Sequence, residues 1–396
     1  MVQLQHLQPV GIQCSASLSA LGETHADIRQ ALTQTASCLS LRDDLLLGQS
    51  CLVGASGAKL TEQVFAEPLQ AFDSRNLRFA ITALQQIEAQ IHACTADMPR
   101  HRLAIVVGTS TSGIADNEPV LQQYFHEKTN APFSHLKQEM NSLAQGLKHY
   151  LNWQGIAYTI STACSSSAKA MAAGQRLLNA DLADAVLVGG VDTLCQLTLN
   201  GFASLESLSA TTCRPCGFER DGINIGEAAS LFLLSKKAAP VMLMSAGESM
   251  DAWHISAPHP EGRGAAAAMQ QALDIAGLQP EHIDYLNLHG TATPQNDAME
   301  IKAVRQIFAA HRPNLSSTKH QTGHCLGAAG ALEAFICQQV LQEQWLPLHH
   351  NGAIDPELAD QHYVQCSEVK QPLRYAMSNS FAFGGSNISL IFGANF

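Results

Sequence analysis

The sequence predicts an α/β fold built from two similar halves, and two observations support this. Short apolar runs typical of buried strands alternate with segments typical of helices. In addition, three pairs of segments resemble each other in the same order along the chain. The length of 396 residues agrees, because a single core rarely serves more than about 250–300 residues. We expect one half over residues 1–238 and the other over residues 239–396.

The predicted strands are seven apolar runs, at 102–108, 157–163, 184–190, 227–235, 283–290, 374–381 and 387–393. Four helices are also predicted, the first of them before these strands and the other three among them. One begins after an N-cap at Asp73, one follows Cys164, one begins near Asn296 and one follows His324.

The internal repeat is carried by three segment pairs. "LAIVVGTSTSG" (103–113) resembles "YLNLHGTATPQ" (285–295), and "TACSSSAKAMAAGQRLL" (162–178) resembles "TGHCLGAAGALEAFICQQVL" (322–341). "AVLVGGVD" (185–192) resembles "SNSFAFGGSN" (378–387). Duplicated halves bring corresponding strand ends together at a pseudo-twofold axis. We therefore expect Cys164 and His324 to meet, each at the start of a helix.

Composition excludes several classes of protein. The net charge of −11 argues against a general nucleic-acid binder, which needs a basic surface. No apolar run reaches the roughly 18 residues of a membrane span, and no signal peptide is evident. Eleven scattered cysteines do not form the pattern of a disulfide framework, and a lone Cys213-x-x-Cys216 is weak evidence for metal or redox chemistry. We expect a cytoplasmic protein.

Cys164 is the first candidate for chemistry, because it lies where a strand gives way to a helix. The free N–H groups and partial positive charge of a helix N-terminus favour a thiolate. The alternative is a buried packing cysteine. His289 and His324 each lie beside glycine-rich segments suited to close backbone approach to a ligand. Zinc binding by Cys164, His289 and His324 is the alternative that residue type allows.

A glycine-rich turn is the last candidate. Phe383-Gly384-Gly385 is predicted to connect two strands, and its N–H groups could stabilise an oxyanion. A simple hairpin turn is the alternative.

Four motifs in this order resemble the condensing enzymes, and most closely the type I/II β-ketoacyl-[acyl-carrier-protein] synthases. The motifs are "TACSSSA" (162–168), "HGTATPQNDAME" (289–300), "SSTKHQTGHCLGAAGALEA" (316–334) and "NSFAFGGSN" (379–387). The resemblance spans roughly residues 100–396 and is poor over the first sixty. It implies the thiolase fold, in which two duplicated α/β halves form a five-layered αβαβα body, usually as a dimer.

The resemblance also implies a reaction, a decarboxylative Claisen condensation. Cys164 would take an acyl group from a carrier-protein thioester, and malonyl-carrier protein would then lose CO₂ and attack as an enolate. The N–H groups of Cys164 and Phe383 would form the oxyanion hole, and His289 and His324 would stabilise the enolate. No cofactor beyond the carrier's phosphopantetheine, and no metal, is expected.

Further roles follow from the same resemblance. Lys319 would organise the site together with Glu333, and Asp297 and Glu300 would support it. Thr291 and Thr293 would bind the phosphopantetheine arm, and Phe383 would also act as a gate. Thr111 would line the end of the acyl pocket, where its polar side chain suggests an unusual chain such as a polyene or aryl-primed one. Arg75 and Arg78 would dock the acidic acyl carrier protein, or they form an ordinary solvated face.

The sequence departs from the family pattern at three places. Ala382 replaces a glycine before the gating Phe383, Gly217 replaces an aspartate, and the loop before Arg214 is shorter than usual. A degradative thiolase is less favoured, because "FAFGGSN" lacks that family's second cysteine. Two alternatives remain open. The chain could be the catalytic half of a heterodimer of a ketosynthase and a chain-length factor rather than a homodimer, or a thiolase-like acyltransferase.

Overall fold

The computed structural model describes residues 7–128, 132–349 and 352–395. Its strands are β1 (Val10–Ser19), β2 (Ser40–Arg42), β3 (Cys51–Val53), β4 (Leu103–Gly108), β5 (Ala157–Ile160), β6 (Ala185–Asp192), β7 (Ala228–Ser235), β8 (Val241–Met250), β9 (Tyr285–Asn287), β10 (Asn314–Ser316), β11 (Tyr375–Phe381) and β12 (Ser386–Ala394). Its α-helices are α1 (His25–Leu32), α2 (Arg75–Gln85), α3 (Glu88–Thr95), α4 (Ile114–Glu127), α5 (His135–Gln138), α6 (Ser142–Leu151), α7 (Ser166–Asn179), α8 (Gln196–Ser204), α9 (Arg263–Ala276), α10 (Pro294–Phe308), α11 (Lys319–Thr322) and α12 (Ala329–Glu343).

The strand order confirms the duplication. The large sheet runs β10-β9-β11-β12-β8-β1-β7-β6-β4-β5, and β2 and β3 pair separately. Each half contributes five strands to this sheet. From the centre outward, the first half runs β1, β7, β6, β4 and β5, and the second runs β8, β12, β11, β9 and β10, so corresponding strands occupy corresponding places. The segment pairs of the sequence repeat fall on β4 and β9, on α7 and α12, and on β6 and β11 with the turn that follows it. The halves join where β1 pairs with β8 at Val10–Leu243 and Gly11–Met242.

Helices α7 and α12 form the middle layer, and small residues make this layer thin. Ala331 N–H donates to Ser167 Oγ at 2.8 Å. A Cβ on Gly330 would lie 2.8 Å from the Ala168 Cβ, so the two helices touch there almost backbone to backbone. Residues 329–341 of α12 are all buried and most are apolar or small, as expected for a helix covered on all sides. The predicted α/β fold with five layers is confirmed.

Several elements differ from the prediction. Strand β1 was missed because Ser15, Ser17 and Ser19 interrupt its apolar pattern, although all three are buried. Ser15 donates to Gln338 Oε1 and Ser17 bonds to Ser230, each at 2.7 Å, which satisfies these hydroxyls inside the core. Strands β2, β3, β8 and β10 were also not predicted.

The predicted N-cap at Asp73 is wrong by one residue. The Ser74 side chain accepts the Leu77 N–H and caps α2, whereas Asp73 binds Arg78. Strand β7 ends at Ser235 and β8 begins at Val241, on either side of the expected boundary. The division into domains at 238/239 itself stays a prediction. Among the described residues, no helix combines the length and the apolarity needed to cross a lipid bilayer.

Candidate active site

Cys164 lies in a tight connection between β5 and α7. The residue before it, Ala163, has φ +51°, a left-handed conformation that a residue with a Cβ rarely adopts. Ser166 fixes this connection, because its hydroxyl donates to Ala163 O at 2.6 Å and accepts the Thr162 N–H at 2.8 Å. The strained turn places Cys164 at the floor of a cavity.

Three side chains from the two halves meet there. Cys164 Sγ lies 2.9 Å from His324 Nε2, and the rings of His289 and His324 are 5.4 Å apart at 82°. The sulfur and one nitrogen of each ring all lie within 4.8 Å of one another. Two ligands of a tetrahedral zinc are about 3.5 Å apart, from the usual bond lengths. The Cys164–His324 separation is therefore that of a hydrogen bond rather than of two zinc ligands.

Backbone hydrogen bonds hold His324 against the first half. Its N–H donates to Asn224 O at 2.6 Å, and its carbonyl accepts the Gly226 N–H at 2.9 Å. Gly323 has φ +66°, and a Cβ there would lie 2.9 Å from Gly226 N. Only glycine fits this close approach.

Two buried carboxylates hold the loop that carries His289. Glu300 accepts the N–H groups of His289 and Gly290, each at 2.8 Å, and burial raises its pKa to about 7. Asp297 accepts the N–H groups of Cys216 at 2.7 Å and Ala292 at 3.2 Å, and burial raises its pKa as well. These acids contact backbone rather than the imidazole, so they fix the loop's position.

Lys319, the first residue of α11, is almost fully buried. Its Nζ donates to His289 O and to Glu333 Oε1. Burial raises the pKa of Glu333, and Lys319 lowers it in part. The pair therefore joins α12 to the His289 loop through one cation.

The titration behaviour differs from the expectation that the helix alone supplies a thiolate. Burial raises the pKa of Cys164 to about 12, although Lys319 and the Phe383 N–H act in the opposite direction. Burial, then the charge of Lys319, holds the pKa of both His289 and His324 well below the usual range. Around pH 7 the site thus holds a neutral thiol beside two neutral imidazoles.

The turn between β11 and β12 carries the predicted Phe383-Gly384-Gly385 segment. The Phe383 N–H acts to lower the pKa of the Cys164 thiol, and the Phe383 ring lies 5.7 Å from that of Phe202. Gly384 and Gly385 have φ +82° and +80°, so the turn needs glycine at both positions. Ala382, where the family usually has glycine, is buried and donates its N–H to Ser386 O at 3.0 Å.

The cavity encloses about 980 Å³ of empty space, including its opening to solvent. Thr291 and Thr293 line it, and their hydroxyls are 3.0 Å apart. Sequence reasoning assigned no role to several other residues of the wall. They include Phe202, Ser207, Asp251, Gln295, Asn296 and Asn387. Asp251, Ser256, Ala257 and Pro258 of this wall all come from one segment, "MDAWHISAP" (250–258).

Three predicted site residues lie outside the wall of this cavity. Thr111 does not line this cavity, and its hydroxyl donates to the buried Asp192 at 2.7 Å. Its role at the end of the acyl pocket stays a prediction. Arg75 forms a two-pronged pair with Glu227, at 2.7 and 3.0 Å. Arg78 forms the same kind of pair with Asp73, with both bonds at 2.7 Å. Internal carboxylates thus neutralise both arginines, and docking by them stays a prediction.

Known proteins match both this fold and this chain. Residues 58–239 match the model described as "Beta-ketoacyl synthase, N-terminal domain", and residues 241–353 match the C-terminal domain of the same family. The 3-oxoacyl-[acyl-carrier-protein] synthase 2 of Synechocystis is 32% identical over 340 residues, which is 80% of this chain and 81% of that protein. The protein of the same name from Staphylococcus aureus is 36% identical over 248 residues, 58% of this chain. That alignment spans 61% of the staphylococcal protein's length.

Solved structures agree over the full chain. One match is the structure of a ketosynthase in complex with its chain length factor, from Xenorhabdus doucetiae. It matches at 41% identity and a TM-score of 0.92, and the match covers 100% of this chain and 100% of the matched chain. A beta-ketoacyl synthase from Burkholderia phymatum matches at 25% identity and a TM-score of 0.90, covering 98% of this chain and 100% of that one.

The duplicated fold, with a cysteine from one half against two histidines from the other, defines a thiolase-like protein. Within that superfamily, the chain belongs to the beta-ketoacyl synthase family.

Proposed function

We propose that this protein condenses an acyl group, carried on Cys164, with malonyl-[acyl-carrier protein] to give a β-ketoacyl-[acyl-carrier protein]. The observation that carries the proposal is the arrangement around one sulfur. His324 Nε2 lies 2.9 Å from Cys164 Sγ, the Phe383 N–H acts to lower the pKa of that thiol, and Lys319 Nζ donates to His289 O. A packing cysteine needs none of these partners.

In the first half-reaction, Cys164 Sγ attacks the acyl thioester. The Sγ–acyl bond forms, the bond to the carrier's pantetheine sulfur breaks, and the thiol proton ends on that sulfur. Because burial keeps the resting thiol neutral, this proton must leave during attack. His324 Nε2, 2.9 Å away, is positioned to relay it. The N–H groups of Cys164 and Phe383 stabilise the oxyanion.

In the second half-reaction, the malonyl group loses CO₂ and its electron pair forms an enolate. The N–H groups of His289 and His324 stabilise the enolate oxygen, which requires His324 to carry its proton on Nε2 in this half-reaction, after the relay is complete. The lowered pKa of both rings keeps them neutral. The enolate carbon then attacks the acyl carbonyl, the Sγ–acyl bond breaks, and the Cys164 thiolate takes a proton from solvent water, which restores the resting thiol. Thr291 and Thr293, on the cavity wall, bind the pantetheine arm, and Phe383 moves to admit each substrate.

The test is intact-protein mass spectrometry after incubation with acyl-carrier proteins of different chains, followed by peptide mapping. We expect an acyl adduct on Cys164 that malonyl-carrier protein discharges as a β-ketoacyl product. Cys366→Ala, which removes an exposed thiol, should leave the adduct intact, and Cys164→Ala should abolish it. Full condensation by Cys164→Ala would disprove the assignment. Polyene and aryl-primed chains in the acyl panel also test the specialised acyl chain, which stays a prediction.

We also infer that the chain pairs with a second ketosynthase-like subunit. An apolar groove between α4 and α8 supports this, because Phe125 and Leu197 are 69% and 60% exposed there. The Xenorhabdus relative was solved with such a partner. Light scattering of the chain alone, and after co-expression with a chain-length-factor homologue, distinguishes homodimer from heterodimer. Phe125→Glu should weaken the assembly, whereas Leu182→Glu, at an exposed leucine outside the groove, should not. A monomer under both conditions would refute the inference.

A further inference from the structure

A buried carboxylate outside the catalytic cluster holds the loop that follows β4. Asp192, at the end of β6, is fully buried and accepts five hydrogen bonds from three consecutive residues. They come from Thr109 Oγ1 at 2.7 Å, Ser110 N at 2.8 Å, Ser110 Oγ at 2.6 Å, Thr111 N at 2.8 Å and Thr111 Oγ1 at 2.7 Å. A buried carboxylate needs such donors, because they replace the hydrogen bonds that water would otherwise donate to it.

One member of this cluster reaches across to the second half. Ser110 Oγ, while donating to Asp192, accepts the Gly327 N–H at 3.0 Å. Gly327 lies in the turn Leu326–Ala328, between His324 and the start of α12. A Cβ on Gly327 would lie 2.7 Å from Asp192 Oδ2 and 2.9 Å from Ser110 N. The turn therefore packs directly against the Asp192 cluster, and only glycine fits.

The segment around His324 is thus fixed on both sides. On its N-terminal side, His324 itself bonds to Asn224 and Gly226. On its C-terminal side, three residues further on, Gly327 bonds to Ser110. Between these anchors the imidazole holds its 2.9 Å contact with Cys164.

We propose that Asp192 and Ser110 are positioning residues that set the contact between His324 and Cys164. This inference rests on the proposed function of that site. Glu300 does a related task in the second half, where it fixes the loop of His289 from within the same half. Asp192 differs because its cluster, built entirely on the first half, locates a histidine of the second. The two halves are thereby held in register at the reacting sulfur.

Thr109 offers a matched control for Ser110. Each hydroxyl donates to Asp192, and each accepts one backbone N–H. Thr109 accepts the N–H of Ser112, within its own loop, at 3.1 Å, whereas Ser110 accepts that of Gly327. Thr109→Val and Ser110→Ala therefore each remove one hydroxyl from the same carboxylate, and only the second breaks the connection to the His324 turn.

The experiment compares both variants with the wild-type protein in three assays: condensation kinetics, the pH profile of Cys164 alkylation by iodoacetamide, and thermal unfolding. For Ser110→Ala we expect kcat to fall at least tenfold with little change in KM, because displacement of a catalytic group by about 1 Å costs up to about a hundredfold. Its alkylation rate at pH 8 should change at least threefold. Thr109→Val should stay within threefold of wild type in both, and Ser110→Thr, which keeps the hydroxyl, should restore activity.

Several outcomes would overturn the proposal. Equal losses in Ser110→Ala and Thr109→Val would indicate only a shared structural role for the cluster. Wild-type behaviour of Ser110→Ala would show that the contact does not matter. Asp192→Asn should be impaired more than either, and if it does not fold, the matched pair still decides. Should wild-type protein form no acyl-Cys164, the proposed function fails, while the alkylation comparison still tests the positioning.

Discussion

Replacing Lys319 by methionine should destabilise the protein strongly and in a pH-dependent way. The side chains of Lys319 and Glu333 are only 2% and 4% exposed, and the other carboxylate oxygen of Glu333 has no hydrogen-bond partner among the described residues. Removing one partner of a buried ion pair costs about 3–5 kcal/mol, because the remaining charge is left without water or counter-ion. Since methionine fills a similar volume, little of this cost would come from a cavity.

The pH dependence follows from the pKa of Glu333. Burial already raises this pKa above that of the unfolded chain, and Lys319 opposes the rise, so Lys319→Met should raise it further. A raised carboxyl pKa means that the folded state keeps a proton that the unfolded state loses. Below the unfolded pKa of about 4.3, protonated Glu333 contributes its full share of the folding stability. That share is lost as the pH rises from there toward the folded pKa, by up to about 1.4 kcal/mol per pH unit. In the variant this loss should continue to higher pH than in wild type.

Urea unfolding between pH 6 and 9 measures both effects. Lys302→Met is the matched control, because it removes the lysine of an exposed pair with Glu261 and should leave the unfolding midpoint unchanged. The double variant Lys319→Met/Glu333→Gln should recover much of the stability, since no buried charge remains. A cost below about 1 kcal/mol for Lys319→Met, or no recovery in the double variant, would refute the assignment of a buried ion pair.

Three further perturbations test individual interactions. Burial holds the pKa of Glu300 at about 7, so wild-type stability should lose up to ~3 kcal/mol through this group as the pH rises from about 4.5 to 7. Glu300→Gln should lack that slope in urea unfolding, and a parallel slope would contradict the pKa. With the pKa of Cys164 at about 12, its alkylation by iodoacetamide should rise about tenfold per pH unit from 7 to 10. A plateau near pH 7 would show instead that backbone donors outweigh burial. Ser74→Ala removes the cap of α2 and should cost about 1 kcal/mol in urea unfolding, whereas Ser74→Asp should retain the cap.

The sequence predicted the duplicated fold because its evidence is local and repeated. The strands β4 and β9 end in similar polar segments, and α7 and α12 share a run of small residues. Strand β1 escaped prediction because its buried serines find partners only in the folded protein. One of them, Ser15, bonds to Gln338, 323 residues away along the chain. Periodicity cannot anticipate a hydrogen bond over that separation.

At the site, too, local sequence signals were predictable, whereas interactions between distant residues were not. Cys164, His289 and His324 each stand out by their local sequence, and the repeat predicts that Cys164 and His324 meet. The role of Asp192 leaves no comparable signal, since an aspartate at the end of a strand is ordinary. Its function emerges only when the folded chain places Gly327 against Ser110. The raised pKa of Cys164 is equally a property of burial by the whole fold, which the local helix signal does not contain.

The ion pair between Arg75 and the buried Glu227 affects how a docking experiment on Arg75 is interpreted. Its guanidinium binds Glu227, whose side chain is 1% exposed and also accepts the N–H groups of Ser56 and Leu194. Glu227 directly follows Gly226, which donates its N–H to the carbonyl of His324. Charge reversal at Arg75 would therefore leave a buried carboxylate unpaired close to His324. A loss of carrier-protein binding or activity in that variant would not identify a docking residue.

The double variant Arg75→Gln/Glu227→Gln separates the two roles, because it removes the docking charge without leaving an unpaired one. If Arg75 docks the acidic carrier protein, the double variant should bind it at least threefold more weakly at low salt, with the difference shrinking as salt screens the charge. If Arg75 serves only to neutralise Glu227, the double variant should bind as wild type does, while Arg75→Gln alone unfolds at lower urea. Isothermal titration at two salt concentrations, on variants first shown to be folded, distinguishes these results.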